Sequence, residues 1–152
     1  DRPQRYRRGM YIHFKRTNPY PSLVMFDGPE SNICQATRNR SNTPQQALVT
    51  LNDPVFFECA QSLGCDLASA SGSRSARIRQ VGERTISRPF TAKETRVLKA
   101  LFVAERNWYR DHADEARRVV GEHTTATDPA TTAAWIAVAR AVLNLDEFLT
   151  RD

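Results

Sequence analysis

Four helix-start signals are spread along this sequence, and they constrain its fold more than any other feature. Thr43-Pro44, Asp53-Pro54 and Asp128-Pro129 each combine a capping side chain with a proline suited to the first helical position. Thr91-Ala92-Lys93-Glu94 is a capping box, in which Thr and Glu satisfy each other's backbone amides. Behind each signal, apolar residues recur at intervals of three and four, which is typical of a helix buried on one side.

No stretch alternates apolar and polar residues over a useful strand length, and no internal repeat is visible. The sequence therefore predicts an all-α fold, a single-domain helical bundle of about five to seven helices. A length of 152 residues suits one domain. Within it, residues 1–42 are predicted to form a basic N-terminal helix and a long irregular Pro-rich segment, and residues 43–152 the helical core.

The predicted core consists of the apolar residues at helical spacing. The last helix is expected to run from Pro129 almost to the C-terminus. The inward-facing residues are, in chain order, Ala47, Leu48, Leu51, Phe56, Cys59, Ala60, Leu63, Leu67, Ile78, Val81, Leu98, Leu101, Phe102, Trp108, Tyr109, Trp135, Ile136, Val138, Ala139, Val142, Leu143, Phe148 and Leu149.

The N-terminal segment has two predicted parts. In residues 4–16, Tyr6, Met10 and Phe14 recur at every fourth position, which predicts a short amphipathic helix with a basic opposite side. Residues 17–33 contain three prolines and a glycine, so they are not expected to form regular helix. The short apolar run within them is either an extended segment or packing beneath the loop.

Charge is distributed unevenly along the chain. Residues 1–40 contain eight basic and three acidic side chains, a surplus of five, whereas residues 41–152 contain fourteen of each and are neutral. A localised surplus creates a local positive potential. We therefore expect an anionic partner near the first residues, and the candidate binding side chains there are Arg5, Arg8, Lys15 and Arg16.

The three cysteines give no sign of a metal or haem site. No C-x-x-C or C-x-x-C-H motif joins Cys34, Cys59 and Cys65. On one helix, Cys59 and Cys65 would lie ~9 Å apart along the axis, too far for a disulfide. Cys59 is expected to be a small buried hydrophobic residue. The given residues show no signal-peptide pattern, and from the charged start without Met we expect a C-terminal fragment of a longer multidomain protein.

Several strings of residues resemble one protein family. They are Tyr6-Arg7-Arg8-Gly9-Met10-Tyr11, Phe26-Asp27-Gly28-Pro29, Asn42-Thr43-Pro44-Gln45-Gln46-Ala47-Leu48 and the ending Leu143-Asn144-Leu145-Asp146-Glu147-Phe148-Leu149, with Pro21, Cys34, Arg38, Arg40, Leu51 and Asn52 between them. The chain resembles the C-terminal domain of unknown function, of PSD type, found in planctomycete secreted proteins that also carry a cytochrome c-like domain. Two positions depart from the family pattern: Gln45 replaces a Leu, and Thr37 replaces the first of two adjacent arginines.

The resemblance implies a bacterial, exported, multidomain context with a periplasmic or extracellular location. The partners it implies are the upstream domains of the same protein. It carries no established reaction and no cofactor for this domain, because any haem would belong to the upstream cytochrome-like domain. It also disfavours nucleic acid as a partner.

The irregular segment around Asp27, Cys34, Arg38 and Arg40 is the candidate ligand site. Irregular segments held by a scaffold often carry function, and arginine binds carboxylates, sulfates and phosphates in a bidentate manner. Alternatively, Asp27 pairs with an arginine and only locks the loop. A cysteine nucleophile would need a histidine base, but the three histidines lie in no recognisable motif and are expected at the surface or at helix caps.

Adjacent Asp146 and Glu147 do not form an acid/base pair, since neighbouring residues point to different faces. Their expected partner is Arg38, Arg40 or Arg140. No catalytic residue and no metal ligand is therefore predicted.

Three hypotheses follow. In the first, the chain is a non-catalytic helical module that packs against neighbouring domains. In the second, it binds an anionic polysaccharide, acidic or sulfated, through its basic residues. In the third, it completes the active site of an enzyme with upstream residues, in which case replacing Asp27 or Arg38 abolishes turnover.

Overall fold

A computed structural model describes residues 6–7, 9–15, 17–28, 36–37, 41–123 and 127–150 of the chain. These ranges contain eight α-helices, one 3₁₀ turn and no strand, which confirms the predicted all-α class. The 3₁₀ turn is Gly9–Tyr11. The α-helices are α1 Pro21–Met25, α2 Pro44–Asn52, α3 Pro54–Ser69, α4 Arg74–Thr85, α5 Ala92–Asp111, α6 Ala113–Val120, α7 Pro129–Leu143 and α8 Asp146–Leu149.

All four predicted helix starts are confirmed. The Asp53 and Asp128 carboxylates accept amide hydrogen bonds from the first turns of α3 and α7. Thr91 and Glu94 form the complete capping box at α5. At α2, Thr43 and Gln46 form the equivalent capping box: the Thr43 amide donates to Gln46 Oε1, and the Gln46 amide donates to Thr43 Oγ1.

Contacts along the chain group it into two compact units, residues 1–50 and 51–152, and each is described by itself. The predicted division at residues 42 and 43 stays a prediction. In the first unit, the predicted helix over residues 4–16 is wrong for the part that is described. Only Gly9–Tyr11 is helical, and Met10 is 76% exposed. A helix this short is marginal in water unless its apolar face is buried.

The segment predicted to be irregular contains the one-turn helix α1. Pro21 occupies its first turn, where a missing backbone N–H costs nothing. Leu23 therefore lies in a helical turn instead of an extended segment, and Gly9 approaches its side chain closely enough that a Cβ at Gly9 would lie 2.8 Å from Leu23 Cδ2. Three of the predicted core residues are exposed. The first is Leu48 of α2, which is 58% exposed.

In the second unit, α7 packs against α3, α5 and α6. Buried residues lie all round its circumference, as expected for a helix that other helices surround. Trp135 is 1% exposed and its ring centroid lies 4.6 Å from that of Phe102 in α5. This contact lies in the largest core cluster, to which α4 contributes Ile78 and Val81 as predicted.

Helix α3 approaches α7 through a position that the predicted apolar stripe omitted. A Cβ on Gly64 would lie 2.5 Å from Ile136 Cγ1 and 2.7 Å from its backbone nitrogen. The buried side of α3 is therefore centred on Ala60, Gly64 and Leu67. Cys59 lies outside this face and is exposed, so the prediction that it is buried is wrong.

The last predicted helix is divided in two. Helix α7 ends at Leu143 with Asn144 as its C-cap, and α8 begins after Leu145, whose backbone is extended.

Trp108, also predicted to be core, is 47% exposed. It stacks on His112, with ring centroids 4.1 Å apart, at the junction of α5 and α6. His112 is the C-cap residue of α5 and the N-cap residue of α6, and His13 and His123 are exposed, as expected.

Candidate functional site

The predicted ligand residues can be judged only where they are described. Arg5, Arg8, Arg16, Arg38 and Arg40 lie outside the described residues, as does Cys34. Lys15 is exposed. Asp27 is therefore the one member of the candidate loop site whose surroundings the described ranges reveal.

Asp27 holds two segments of the first unit together. Its Oδ2 accepts hydrogen bonds from the Ser41 amide at 2.8 Å and from the Ser41 hydroxyl at 2.7 Å. Gln46 extends the network, because its Nε2 donates to the Met25 carbonyl and to Ser41 Oγ. Asp27 also has a φ of 54°, a left-handed conformation that Asp tolerates better than most residues. These contacts favour the locking role for Asp27.

Glu147 pairs with a residue that the sequence analysis did not consider. Arg88, between α4 and α5, contacts both Glu147 and Glu94. Arg140, one of the three predicted partners, instead donates to the Leu51 carbonyl at 2.9 Å and lies over the Phe57 ring. Asp146 accepts a hydrogen bond from the Thr150 hydroxyl. The prediction of Arg140 as a partner of this acidic pair is therefore wrong.

The hydrogen bonds of Arg88 shift the ionisation of its partners. They hold the pKa of Glu94 at about 2, with the Thr91 amide and hydroxyl contributing further. They also lower the pKa of Glu147. This cluster joins three segments of the second unit, and one guanidinium contacts both carboxylates.

Most cations of the second unit are compensated in the same way, by an acidic side chain, a carbonyl, a hydroxyl or an aromatic ring. Arg77, for example, donates to the Leu67 and Ala68 carbonyls and lies 5.8 Å from the Trp135 centroid. The other compensated cations are Arg74, Arg79, Arg84, Arg88, Arg106, Arg117, Arg118 and Arg140.

Among the described residues 51–150, the cations that lack such a partner all lie on α5. Lys93, Arg96, Lys99 and Arg110 make no ion pair and no side-chain hydrogen bond within the described part of the chain. Steps of three and four residues place neighbours on one side of a helix. Lys93 and Arg96 therefore lie on the side of α5 opposite to the buried Leu98 and Phe102, and the half-buried Lys99 and the exposed Arg110 lie at one edge of that side.

Exposed apolar residues lie on the same side of α5. Val97 is 61% exposed, Val103 is 42% exposed, and Trp108, three helical turns after Val97, is 47% exposed. Ala100 and Ala104, both exposed, lie between them. We call this set of cations and apolar residues the α5 outer face. Its one exposed carboxylate in the described chain is Asp111, at the C-terminal end of the helix.

Sequence reasoning missed the α5 outer face for a physical reason. Residues 41–152 are neutral in total, and the partners that compensate the other cations come from distant parts of the chain. One signal was available: valines and a tryptophan share a helical stripe with lysine and arginine, on the side away from Leu98 and Phe102.

The described residues include no group of three His, Cys, Asp or Glu side chains placed to hold a metal ion. Across the described ranges, none of the helices combines the length and the apolar composition that crossing a membrane requires. The fold and this surface thus define an all-α protein with an exposed helix face that is both basic and apolar.

Comparison with known families adds one assignment. Residues 1–102 match the family PSD1, described as a protein of unknown function (DUF1553). Because the match spans more than half of the 152 residues, the chain belongs to this family. No match was found among curated proteins or among solved structures. The expected membership in a family of unknown function is therefore confirmed.

Proposed function

We propose that the chain is a non-catalytic helical module with an interaction role, and that it binds an anionic partner through the α5 outer face. The observation that carries this proposal is that Lys93, Arg96, Lys99 and Arg110 have no partner within the described part of the chain, whereas every other described cation of residues 51–150 has one. Uncompensated charge on one face creates a local potential that steers an oppositely charged partner.

The placement of Lys93 has a cost for folding, which supports a role in binding. Lys93 lies in the first turn of α5. The N-terminus of a helix carries partial positive charge, so a cation there is unfavourable by about 0.3–1 kcal/mol. Residues whose placement lowers the stability of the folded chain in this way often serve a function.

The biological context is part of the proposal. The sequence strings shared with planctomycete proteins support an exported bacterial protein, located in the periplasm or outside the cell, with an upstream cytochrome c-like domain. An upstream domain of the same protein is then the nearest source of an acidic partner.

An experiment with three variants of the full chain tests the proposed surface. In the first, Lys93, Arg96, Lys99 and Arg110 are all changed to Gln. In the second, which loses the same charge, Arg79, Arg84, Arg117 and Arg118 are changed to Gln; these exposed cations have partners within the chain. Each protein is eluted by salt from immobilised polyglutamate, after circular dichroism has verified its fold.

We expect the first variant to elute at clearly lower salt than the wild type, and the second to elute close to it. Equal shifts would mean that net charge alone controls binding, and they would overturn the proposal. Failure of the wild type to bind at low salt, where charges are least screened, would also overturn it.

Binding of an anionic polysaccharide is the second candidate function, and the exposed Lys15 in the basic N-terminal segment favours it. The third variant tests it by changing Arg5, Arg8, Lys15 and Arg16 to Gln. If this function operates, the variant loses retention on heparin while the α5 variant keeps it. Retention of the N-terminal variant at the salt concentration of the wild type would exclude this candidate.

A further inference from the structure

The exposed apolar residues of the second unit are concentrated on one helix. Val97, Val103 and Trp108 all lie on α5, and Leu145 is the single other large hydrophobic residue with comparable exposure among the described residues 51–150. Single exposed apolar residues are ordinary, but a contiguous set indicates an interaction site. Here residues 97, 100, 104 and 108 form a continuous stripe along the helix, and Val103 lies beside this stripe, on the side of Arg96, Lys99 and Arg110.

Cations accompany this stripe over its length. Lys93, Arg96 and Lys99 follow one another at intervals of three residues beside its first half, and Arg110 lies near its end. Asp111 is the one opposing charge. A partner that complements this surface therefore has an apolar strip bordered by acidic groups.

The shape of α5 favours a second helix as that partner. The helix has 20 residues, which corresponds to a length of ~30 Å. Ala100 and Ala104 lie in the middle of the stripe and present small side chains, which allow another helix to approach to the usual axis separation of about 8–10 Å. An amphipathic helix can contact the stripe along its whole length.

Two other occupants fit the surface less well. A second copy of the same face would bring like charges together, which is unfavourable. A sulfated polysaccharide would satisfy the cations, but Val97 and Val103 have no group that hydrogen-bonds to a sugar and no ring that stacks on it.

From the stripe, the cations and the helix length we infer that the α5 outer face docks an acidic amphipathic α-helix. This inference rests on the proposed function and names the chemistry of its partner. In the complex, the acidic side chains contact Lys93, Arg96 and Lys99, and the apolar side of the partner covers Val97, Val103 and Trp108.

Two synthetic peptides of identical composition test the inference. Both have the 20-residue length of α5 and contain Glu, Leu and Ala. In the striped peptide, Leu recurs at helical spacing with Glu on both sides; in the scrambled peptide, the same residues have no stripe. Binding to the full wild-type chain is measured by fluorescence anisotropy at low salt.

We expect the striped peptide to bind at least about tenfold more tightly than the scrambled one. The variant with Val97→Ser and Val103→Ser should bind the striped and the scrambled peptide with similar affinity, and it should still be retained on polyglutamate. Leu145→Ser is the matched control, because it removes an exposed apolar residue elsewhere, and it should leave the difference unchanged. Tryptophan emission should shift to the blue with the striped peptide, and Trp108→Phe should remove that shift.

The outcomes separate the inference from the proposed function. Equal affinity for the two peptides, or no binding of the striped peptide, overturns the docked helix even if retention on polyglutamate persists. If the valine variant abolished self-association of the chain, as seen by sedimentation, the occupant would be a second copy and the inference would be wrong. A failure of the polyglutamate experiment overturns the proposed function itself.

Discussion

The Nε of Arg88 lies 2.7 Å from Oε1 of Glu147, 59 residues further along the chain. A second hydrogen bond joins Arg88 Nη2 to Glu147 Oε2, and the same guanidinium also donates to Glu94. Arg88 thus connects the start of α5 to the terminal helix α8. Helix α8 has only four residues, so its position depends on contacts such as this one.

The first prediction concerns the pH dependence that this cluster creates. The pKa of Glu94 falls from 4.5 to about 2 in the folded chain. A carboxyl group with a lowered pKa contributes its full stabilisation above its unfolded pKa, and the contribution disappears as the pH falls through the folded pKa. The free energy of unfolding should therefore decrease between pH 4.5 and about 2.

Urea denaturation at several pH values measures this effect. Glu94→Gln keeps a side chain that suits a capping box but removes the charge. We expect its stability to change less over this pH window than that of the wild type. Glu83→Gln is the control, because its pair with Arg79 is exposed and such pairs contribute little. Parallel pH profiles for the wild type and Glu94→Gln would contradict the prediction.

The second prediction concerns the close approach of α3 and α7. Gly64→Ala should destabilise the chain by about 1–3 kcal/mol, because the new Cβ would overlap the Ile136 backbone. This loss outweighs the gain of up to about 1 kcal/mol that Ala brings to a helix interior. Thermal or chemical denaturation measures the change.

Ser62→Ala is the control for Gly64→Ala. Ser62 lies two residues away on the exposed side of α3, so its replacement should change stability by less than ~0.5 kcal/mol. A Gly64→Ala variant as stable as the wild type would show that α3 and α7 do not approach as closely as described.

Some features of the fold depend only on residues that are close together in the sequence, and others do not. Thr43, Asp53, Thr91 and Asp128 start helices as predicted, because capping depends on residues two or three positions away. Whether an apolar residue is buried depends instead on which other parts of the folded chain pack against it. Met10 had the correct spacing for a buried helix face, yet it is exposed.

The same distinction explains the candidate sites. Asp27 could be singled out from its place in an irregular segment, but its hydrogen bonds to Ser41 are visible only in the structure. The α5 outer face was hidden by a neutral total charge. Charges such as Arg88 and Glu147 find partners across the fold, and no sequence spacing identifies those pairs in advance.

The third prediction concerns the thiols of α3. Partial desolvation raises the pKa of the exposed Cys59, with the nearby carboxylates of Glu58 and Asp53 adding to the effect, and partial burial also raises the pKa of Cys65. The thiolate is the reactive form, so both should react slowly with iodoacetamide at neutral pH. As long as the pH is below the pKa of the thiol, the rate of alkylation should increase about tenfold for each unit by which the pH is raised.

The two thiols differ in access. Cys59 is exposed and Cys65 is only partly so, and Cys59 should therefore be alkylated faster in the native chain. Mass spectrometry measures each rate in a Cys34→Ser background, with Cys59→Ser and Cys65→Ser as single-thiol variants. Faster alkylation of Cys65, or a rate independent of pH, would be inconsistent with the described surroundings.

The fourth prediction concerns Asp27 and the Ser41 amide that donates to it. Asp27→Ala removes the acceptor, and it leaves alanine in a left-handed conformation that disfavours a β-carbon. The protection of the Ser41 amide against hydrogen exchange should fall by about 1–3 kcal/mol, the usual cost of removing one partner of such a hydrogen bond. NMR-detected exchange measures it directly.

Asp27→Asn separates the hydrogen bond from the charge. Asparagine tolerates a positive φ and keeps one acceptor oxygen, so this variant should retain an intermediate level of protection at Ser41. In the enzyme hypothesis, Asp27 acts on a substrate, and its replacement would abolish turnover of the full-length protein without unfolding it; unchanged turnover would reject that role. A locking role predicts that exchange at the Ser41 amide follows the strength of the acceptor at position 27.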